Sequence, residues 1–376
     1  MTETFLQNYG WVLISLLGGL VVALMFVMGA NLHLGNYRLD AIRKKAVLKA
    51  TGRRWIYALA ALLVFGGAVY LAFPLFFRVF FVGARRLWEL VLLTFVLQLI
   101  AYAVCNRNEK LLGSTFFCIV LMINGLLAPL LVGTAIGTFF LGAGFSVDWA
   151  VSPAAVHWAS SGHGLELLGQ PLALLLGLIH VCLSYLLGAL YVIRVVDDHA
   201  VRKQLRRAVH IASVPLLVLS ILWVILLLLH PGFSVNADGV VSMERYKYLL
   251  TVLHYRPVQV VFIVGALIFA QGLFVGVIKK SRRKGFWVTA GGTVVVVMGI
   301  FALAGFNGTS FFPSPDSLQS SLTVRNSAAS PDTLQLLSWL SPLIPVDLVV
   351  LGYFWHRQGH KKKISIRGLL REPNKS

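Results

Sequence analysis

The chain has 376 residues, of which 58% are hydrophobic and only 12% are charged, and its formal net charge is +19. Soluble domains usually have a charged share of about 25%, so this composition excludes an ordinary soluble globular protein. The mean hydropathy of +0.80 instead predicts an integral membrane protein. The apolar runs are continuous rather than alternating, which indicates membrane helices and excludes a membrane β-barrel.

Nine segments of the sequence approach the roughly 20 apolar residues that a membrane-spanning helix needs. We therefore expect an all-α integral membrane protein with nine transmembrane helices, forming two four-helix bundles plus a ninth helix in one membrane domain over residues 1–376. No small-residue cleavage site follows the first run, so we expect it to be retained. The predicted helices lie at about 11–31, 55–77, 87–105, 115–140, 171–193, 209–230, 257–278, 286–306 and 334–355.

The basic residues are concentrated in alternate connecting segments. Segments 32–54, 106–114, 194–208, 279–285 and 356–376 hold 26 of the 33 Lys and Arg residues. Cytoplasmic segments of membrane proteins are enriched in Lys and Arg. We therefore predict an external amino terminus, a cytoplasmic carboxyl terminus and an odd number of crossings. The positive charge then suits anionic lipid headgroups and gives no indication of nucleic-acid binding.

Three connecting segments on the predicted external side are long and nearly neutral: 141–170, 231–256 and 307–333. The first contains HWASSGHGLELL, which predicts a short amphipathic surface helix. In the second, Asp238-Gly239 predicts a turn, followed by a helix-like run. The third contains the polar stretch SSLTVRNSAASPDTL, which directly precedes the last apolar run.

Ionisable side chains inside a membrane are costly and are therefore candidates for function. Asp347 lies about 13 residues into the ninth predicted helix, after Pro342 and Pro345. It is either an acid on a proton path or a protonated or hydrogen-bonded structural acid. Glu89 begins the third helix next to Arg85, where an acid suits the helix dipole and can form an ion pair.

The remaining polar candidates give no indication of a complete active site. His180 lies in the middle of the fifth helix. It is either a haem ligand or, as is more usual for a single membrane histidine, a hydrogen-bonded packing residue. Cys105, Cys118 and Cys182 have no CxxC spacing and are predicted to be small buried residues outside any disulfide or zinc site. Because nucleotide-binding motifs and His/Cys clusters are absent from the sequence, we predict no catalytic residue and no metal site.

Several long stretches carry a family pattern. The sequence SLQSSLTVRNSAASPDTLQ precedes the last predicted helix, NGLLAPLLVGTAIGTFFLGAGFSVD covers the fourth helix and its following loop, and TGRRWIYALAALLVFGGAVYLAFPLFF covers the second helix. Together they resemble subunit II of cytochrome bd-type quinol oxidases, the cytochrome d ubiquinol oxidase subunit II family. The resemblance covers nearly the whole chain, and no single short motif carries it.

The resemblance implies nine helices, an external amino terminus and a multi-pass location in the bacterial cytoplasmic (inner) membrane. It implies a partner, subunit I, which holds haems b and d. The complex oxidises quinol and reduces dioxygen to water in aerobic or microaerobic respiration, generating a proton gradient. The resemblance further implies that subunit II alone is non-catalytic and binds no haem. In some members it holds a structural quinone, and a small accessory subunit can join the complex.

This sequence departs from the family pattern at two acidic motifs. Many members carry Asp-Gly-Phe-Asp at the inner end of helix one, where residues 30–33 here are Ala-Asn-Leu-His. Many carry Trp-Asp-Gly-Asn-Gln-Val-Trp at the start of helix two, where Trp55 here is followed by Ile56. These acids are associated with proton delivery in the family. His33 replaces one of them and, with Asp347, is a candidate for a proton path. The alternative is that protons enter through subunit I alone and His33 hydrogen-bonds a helix end.

The polar stretch before the ninth helix is predicted to form an ordered structural cap at the external membrane surface. Its hydrogen-bonding candidates are Ser320, Ser321, Thr323, Asn326 and Ser327. The alternative is a flexible polar loop. Ser330 or Asp332 is expected to cap the ninth helix, with Pro331 in its first turn.

Two other classes of function are compatible with the composition. One is a membrane transporter that couples transport to protons through the buried Asp347, and the other is a purely structural membrane scaffold. Transporters usually contain broken helices at matched places in two halves, and the sequence shows no such pair. Co-purification with a haem-bearing partner would distinguish the three functions.

Overall fold

The computed structural model describes residues 2–52, 54–105, 113–151, 154–278, 281, 284–344, 364 and 366. Asp347 and most of the predicted ninth helix at 334–355 lie outside the described residues. Within them, eight helical segments are long and apolar enough to cross a membrane, which agrees with the first eight predicted helices. These segments are Glu3–Gly35, Ala41–Ala72, Arg85–Cys105, Thr115–Leu141, Pro171–Val195, His199–Leu229, Arg256–Gly276 and Lys284–Gly305.

Thirteen α-helices and four short strands make up the described chain. In chain order the helices are α1 (Glu3–Leu24), α2 (Phe26–Asn31), α3 (Ala41–Thr51), α4 (Trp55–Ala72), α5 (Pro74–Phe77), α6 (Arg85–Cys105), α7 (Gly113–Leu141), α8 (Pro171–Val195), α9 (His199–Leu229), α10 (Lys247–His254), α11 (Arg256–Leu273), α12 (Lys284–Gly305) and α13 (Pro331–Leu340). The strands are β1 (Phe145–Asp148), β2 (Ala155–Trp158), β3 (Gly232–Val235) and β4 (Val241–Glu244).

Two basic segments that were predicted as loops are largely helical. Helix α9 begins at His199, ten residues before the predicted start at 209, and α3 occupies much of segment 32–54. Both helices begin at an aspartate whose side chain accepts a backbone hydrogen bond: Asp198 Oδ1 from Val201 N at 2.8 Å and Asp40 Oδ1 from Arg43 N at 2.9 Å. Hydropathy marks only the apolar part of a helix, so it misses the turns that extend beyond the apolar run.

The predicted amphipathic helix in HWASSGHGLELL is wrong. The first part of this stretch belongs to β2, which pairs antiparallel with β1 and places Phe145 opposite Trp158. Only the short 3-10 turn Leu165–Gly169 is helical, and it follows Gly164, whose φ of +100° suits glycine. The predicted turn at Asp238-Gly239 is confirmed: it joins β3 to β4, with Gly239 at φ +83°. The helix-like run that follows becomes β4 and then α10.

Helices α1 and α2 form the central column of the bundle. Helix α1 packs against α4 and α12, and α2 packs against α7 and α8. Glycines permit these contacts: a Cβ on Gly29 would lie 2.1 Å from the Ser184 backbone, and one on Gly188 would lie 2.5 Å from Ala30 N. Membrane helices associate mainly through close packing, because the lipid is as apolar as their side chains. Small residues at the interface allow the helix backbones to come into contact.

An aromatic cluster fills the bundle where α1, α4, α7 and α12 meet the segment after α12. The fully buried Trp11 is at its centre and donates from Nε1 to the Phe301 carbonyl at 2.9 Å. Its ring centroid lies 4.3 Å from that of Phe311 and 5.6 Å from that of Phe73. Gly305 leaves room for the indole, since a Cβ there would lie 2.2 Å from Nε1.

The two ends of the bundle differ in composition. The end at which α1 begins and α12 finishes is covered by the segment 307–330 and the two β-hairpins, and we call it the cap end. The opposite end, called the basic end, carries α3 and the junction between α8 and α9. There Arg43 Nε donates to Asp198 Oδ1 at 3.2 Å and joins α3 to the start of α9. The described tail residue Ile364 also lies at the basic end, where its carbonyl accepts from Asp197 N at 3.0 Å.

Candidate functional site

The segment 307–330 forms the centre of the cap end. It folds back on itself through backbone bonds between Phe311 N and the Leu322 carbonyl at 3.1 Å and between Leu322 N and the Phe312 carbonyl at 2.9 Å. The buried Ser310 hydroxyl donates to the same Leu322 carbonyl at 2.7 Å. Phe311 and Phe312 are both fully buried. A polar surface segment is therefore anchored by two aromatic side chains that enter the bundle.

Four of the five predicted cap residues form one local hydrogen-bonded turn. Asn326 Oδ1 accepts from Thr323 N at 2.8 Å, and Thr323 Oγ1 accepts from Asn326 N at 3.1 Å. Asn326 Nδ2 donates to the Ser321 carbonyl at 2.9 Å, and the Ser327 hydroxyl donates to the Thr323 carbonyl. The side chain of Ser321 accepts from Ser314 N at 3.0 Å.

The same segment bonds to three other parts of the chain. Ser320 Oγ, the fifth predicted cap atom, accepts from Val147 N of β1 at 3.0 Å. The Ala329 amide donates to the Ala72 carbonyl, the last of α4, at 2.9 Å. The Gly308 carbonyl accepts from Val235 N of β3 at 2.8 Å. Segment 307–330 thus satisfies backbone groups of elements that finish at this end of the bundle.

The ninth predicted helix starts three residues earlier than expected, as α13 at Pro331. Ser330 is its N-cap and accepts from Thr333 N, with Pro331 in the first turn. Proline is favoured at this position because its missing amide proton would have no partner there.

His33 lies at the basic end, in the 3-10 turn Leu32–Gly35 that continues helix α2. It is completely buried. Its Nε2 lies 3.1 Å from the Tyr185 carbonyl, and its ring centroid lies 4.1 Å from that of Tyr185. The imidazole therefore connects the end of the central column to α8.

A buried polar chain lies in the same region and was missed by the sequence analysis. Tyr102 Oη lies 2.7 Å from both Asn31 Oδ1 and Thr51 Oγ1, and Thr51 Oγ1 lies 3.1 Å from the Val47 carbonyl. One phenol proton serves only one acceptor at a time. Tyr102 therefore donates either to Asn31 Oδ1 or to Thr51 Oγ1, and the Thr51 hydroxyl donates to the Val47 carbonyl.

The polar face of α6 was the available sequence signal for this chain. Thr94, Gln98 and Tyr102 are spaced at i, i+4 and i+8, so they share one face of an otherwise apolar helix. The Asn124 amide of α7 donates to the Thr94 carbonyl at 3.0 Å. All four side chains are buried. All four are neutral near pH 7, and a search limited to Asp, Glu and His does not find them.

His180 is buried in the middle of α8. Its Nε2 lies 3.1 Å from the Val22 carbonyl of α1, and the side chain is buried between helices. A Cβ on Gly133 would lie 2.8 Å from His180 Cβ, so α7 and α8 are in close contact at this level. The ring thus lies between closely packed helices, with Nε2 next to a backbone carbonyl.

The other sequence candidates remain separate from these clusters. Glu89 and Arg85 are both exposed, and no ion pair joins them in the described structure. Cys105 and Cys118 are half-buried, and their Sγ atoms lie 3.7 Å apart. Among the residues that the structure describes, no group of three or more His, Cys, Asp or Glu side chains is arranged to hold a metal ion.

Comparison with known proteins identifies the family of this chain by sequence and a solved structure with a similar fold. The family model described as cytochrome bd terminal oxidase subunit II matches residues 6–357. A chain in the structure of bd oxidase from Geobacillus thermodenitrificans superposes with a TM-score of 0.63 at 14% sequence identity. The superposition covers 93% of the present chain and 98% of that chain. No curated protein sequence matches.

The turn around Asn326 can be tested by substitution. In Asn326→Ala the Thr323 amide and the Ser321 carbonyl each lose a partner, so we expect local stability to fall by ~1–3 kcal/mol. Asn326→Asp keeps the acceptor but not the donor and should have a smaller effect. The measurement is hydrogen exchange at the Thr323 amide in the purified protein. Gln319→Ala, an exposed position in the same segment, is the matched control. Equal protection in Asn326→Ala and Gln319→Ala would contradict an ordered cap.

Proposed function

This chain belongs to the cytochrome bd terminal oxidase subunit II family, and we propose that it is the membrane partner of a haem-bearing subunit I in a bd-type quinol oxidase. The match over residues 6–357 carries this proposal. The matched residues include the helical bundle, both β-hairpins and segment 307–330. The similar fold of a bd oxidase chain is consistent with it. Family membership makes the chain a multi-pass subunit of a terminal oxidase, with oxidoreductase activity belonging to the complex.

In the proposed complex, subunit I holds haems b and d, oxidises quinol and reduces dioxygen to water. Aerobic or microaerobic respiration then generates a proton gradient across the bacterial cytoplasmic membrane. The present chain contributes no catalytic residue and binds no haem. Its role is to form the membrane partner on which subunit I is assembled. The surroundings of His180 support this assignment, because its Nε2 is already engaged by a backbone carbonyl.

We further propose nine crossings, in two four-helix bundles plus a ninth helix, with the amino terminus outside and the carboxyl terminus in the cytoplasm. Helix α13 starts at the cap end, where Ala329 bonds the last residue of α4, whereas Ile364 bonds Val195 and Asp197 at the basic end. The described residues before and after the ninth apolar run therefore lie at opposite ends of the bundle. The Lys and Arg distribution supports a cytoplasmic basic end.

Orientation can be tested with cysteine labelling in intact cells. A cysteine introduced after Ser376 should resist a membrane-impermeant maleimide, because the tail is cytoplasmic in this topology. One introduced in the β3–β4 turn, as Asp238→Cys, should be labelled. A background with Cys105, Cys118 and Cys182 replaced by serine or alanine is required. The reverse labelling pattern would invert the topology, and labelling of both positions would exclude nine crossings.

The oxidase assignment predicts that this chain co-purifies with haem. A tagged chain isolated in mild detergent from cells that contain all their subunits should show a Soret band together with a haem-bearing partner polypeptide. The same chain produced without that partner should show no Soret band. His180→Ala in the complex should leave the haem content per complex unchanged. Purification of the chain from its native membrane with no haem or partner would instead favour a scaffold or a transporter.

His33 is proposed as a positioning residue that holds the end of the central column against α8. The contact between Nε2 and the Tyr185 carbonyl and the complete burial of the ring support this role. The alternative places His33 on a proton path together with Asp347, which lies outside the described residues. The two roles predict different behaviour when the ring is replaced by a side chain that can donate a hydrogen bond but does not titrate.

His33→Gln provides that comparison, with His33→Ala as its partner variant. In the positioning role the glutamine amide can donate to Tyr185, so turnover per haem should stay within about twofold of wild type from about pH 6 to about pH 8. His33→Ala should lower thermal stability of the complex. A titrating role requires both variants to lose turnover in a pH-dependent manner. Such a loss in a stable His33→Gln complex would exclude the positioning role alone.

A further inference from the structure

Two cysteine side chains from different helices meet at the basic end of the bundle. Cys105 is the last residue of α6, and Cys118 lies in the second turn of α7. Their Sγ atoms lie 3.7 Å apart, which is close enough for contact between a thiol and a sulfur atom. The chain has one other cysteine, Cys182, near the middle of α8. Because α6 and α7 pack against each other, the sulfur contact belongs to a helix interface.

The two sulfur atoms are near the distance at which they can bond. A disulfide requires a sulfur–sulfur distance of about 2.05 Å, so the Sγ atoms of Cys105 and Cys118 have to approach by about 1.7 Å. Rotation about the Cα–Cβ bonds moves each Sγ between its staggered positions. Cys105 is also at a helix end, and helix ends fray more easily than helix interiors. Bond formation therefore requires only local movement.

The surroundings of the pair are accessible to small polar molecules. Both side chains are half-buried rather than enclosed. Lys44 of α3 interacts electrostatically with Cys118, which places the pair beside a positive charge. Charged side chains in membrane proteins lie at the level of the headgroups and water, because the hydrocarbon core excludes them. In the topology proposed above, this end of the bundle faces the cytoplasm.

The pair lies next to the buried polar chain described above. Tyr102 of that chain is three residues before Cys105 on α6. On α7, Met122 is four residues after Cys118 and packs on Gly35, where an added Cβ would lie 2.5 Å from the methionine methyl group. Both helices thus contact the end of the central column about one helical turn from their cysteine. A covalent bond between the cysteines would hold these two contacts together.

We propose that Cys105 and Cys118 form a redox-sensitive modification site, at which a hydroperoxide converts the two thiols into a disulfide that joins α6 to α7. One thiolate attacks the O–O bond of hydrogen peroxide, which gives a sulfenic acid and, after protonation, one water. The second thiol attacks the sulfenic sulfur; the S–S bond forms, the S–O bond breaks and a second water leaves. The two thiols together lose two electrons and two protons, and one hydrogen peroxide is reduced to two waters.

Such a site differs from the sequence prediction, which placed all three cysteines outside any disulfide. The sequence has no motif for this pair because its members come from separate helices. Disulfides inside cells are usually transient and redox-sensing, since cellular thiols reduce them. We therefore expect the bond to form under oxidative stress and to be reduced afterwards. This chemistry does not depend on the oxidase function proposed above.

The test is cysteine mapping in cells that produce the full chain. Cells are treated with hydrogen peroxide and quenched with acid, and the remaining thiols are alkylated with a maleimide. The chain is then purified with any subunit that accompanies it, denatured and digested with trypsin. Arg107 and Lys110 lie between Cys105 and Cys118, so the digest separates the two cysteines unless a disulfide links them. We expect a linked peptide that is absent from unstressed cells and lost on reduction with dithiothreitol, whereas Cys182 should carry the maleimide.

Three single variants make the test specific. Cys182→Ser is the matched control and should form the linked peptide to the same extent as wild type. Of Cys105→Ser and Cys118→Ser, the variant that retains the attacked cysteine should accumulate a sulfenic acid, which dimedone traps. Trapping in wild type should be at least about tenfold lower, because neighbouring groups in a well-oriented pair reach effective molarities of about 10⁵ M or more.

Several outcomes would overturn the proposal. Absence of the linked peptide from peroxide-treated wild-type cells would show that the thiols do not pair. Equal dimedone trapping in wild type and in the single variants would show that each thiol is oxidised independently. Linked peptides that contain Cys182 as often as Cys105 or Cys118 would indicate oxidation of an unfolded chain. A complete bond in unstressed cells would make the pair a permanent structural disulfide instead of a redox-sensitive site.

Discussion

The packing of the buried Trp11 side chain is the interaction on which the rest of the cap end depends. Its indole sits among aromatic rings from α4, α7, α12 and segment 307–330, and its only N–H is taken by the Phe301 carbonyl. An indole in a membrane bundle has to find such an acceptor, since an unpaired N–H is costly in an apolar medium. This requirement fixes the depth of α1 against α12. It also fixes the position of Phe311, from which the polar segment extends over the helix ends.

Hydropathy predicted the membrane helices well because each is a long apolar run with no competing pattern. It failed where structure depends on something other than apolarity. The first turns of α9 are basic, and the Asp198 cap rather than hydrophobicity defines where that helix starts. Strand β2 exists only because β1 pairs with it, and four residues carry too little local pattern to reveal a partner elsewhere in the chain. Residue spacing alone gives no information about such a pairing.

The basic end shows what sequence reasoning about function can and cannot find. The family resemblance points to residues 30–33 because the family's acids are missing there, and it predicts His33 as their titratable replacement. The structure shows that the neighbouring Asn31 is also part of a buried contact: it bonds Tyr102, which in turn lies within hydrogen-bond distance of Thr51. These neutral groups come from three separate helices, so no local window contains the chain they form. A buried cluster of this kind holds helices in register without placing a charge in the membrane.

The contacts of segment 307–330 determine when the cap end can close during synthesis. Ser320 bonds Val147, which is 173 residues earlier, and Ala329 bonds Ala72. Synthesis proceeds from the amino terminus, so every membrane helix up to α12 is synthesised before segment 307–330. Until then the carbonyl that finishes α4 and the amide of Val147 have to be satisfied by water or lipid headgroups. Closure of this end is therefore a late step of assembly, which follows the synthesis of all the helices whose ends it joins.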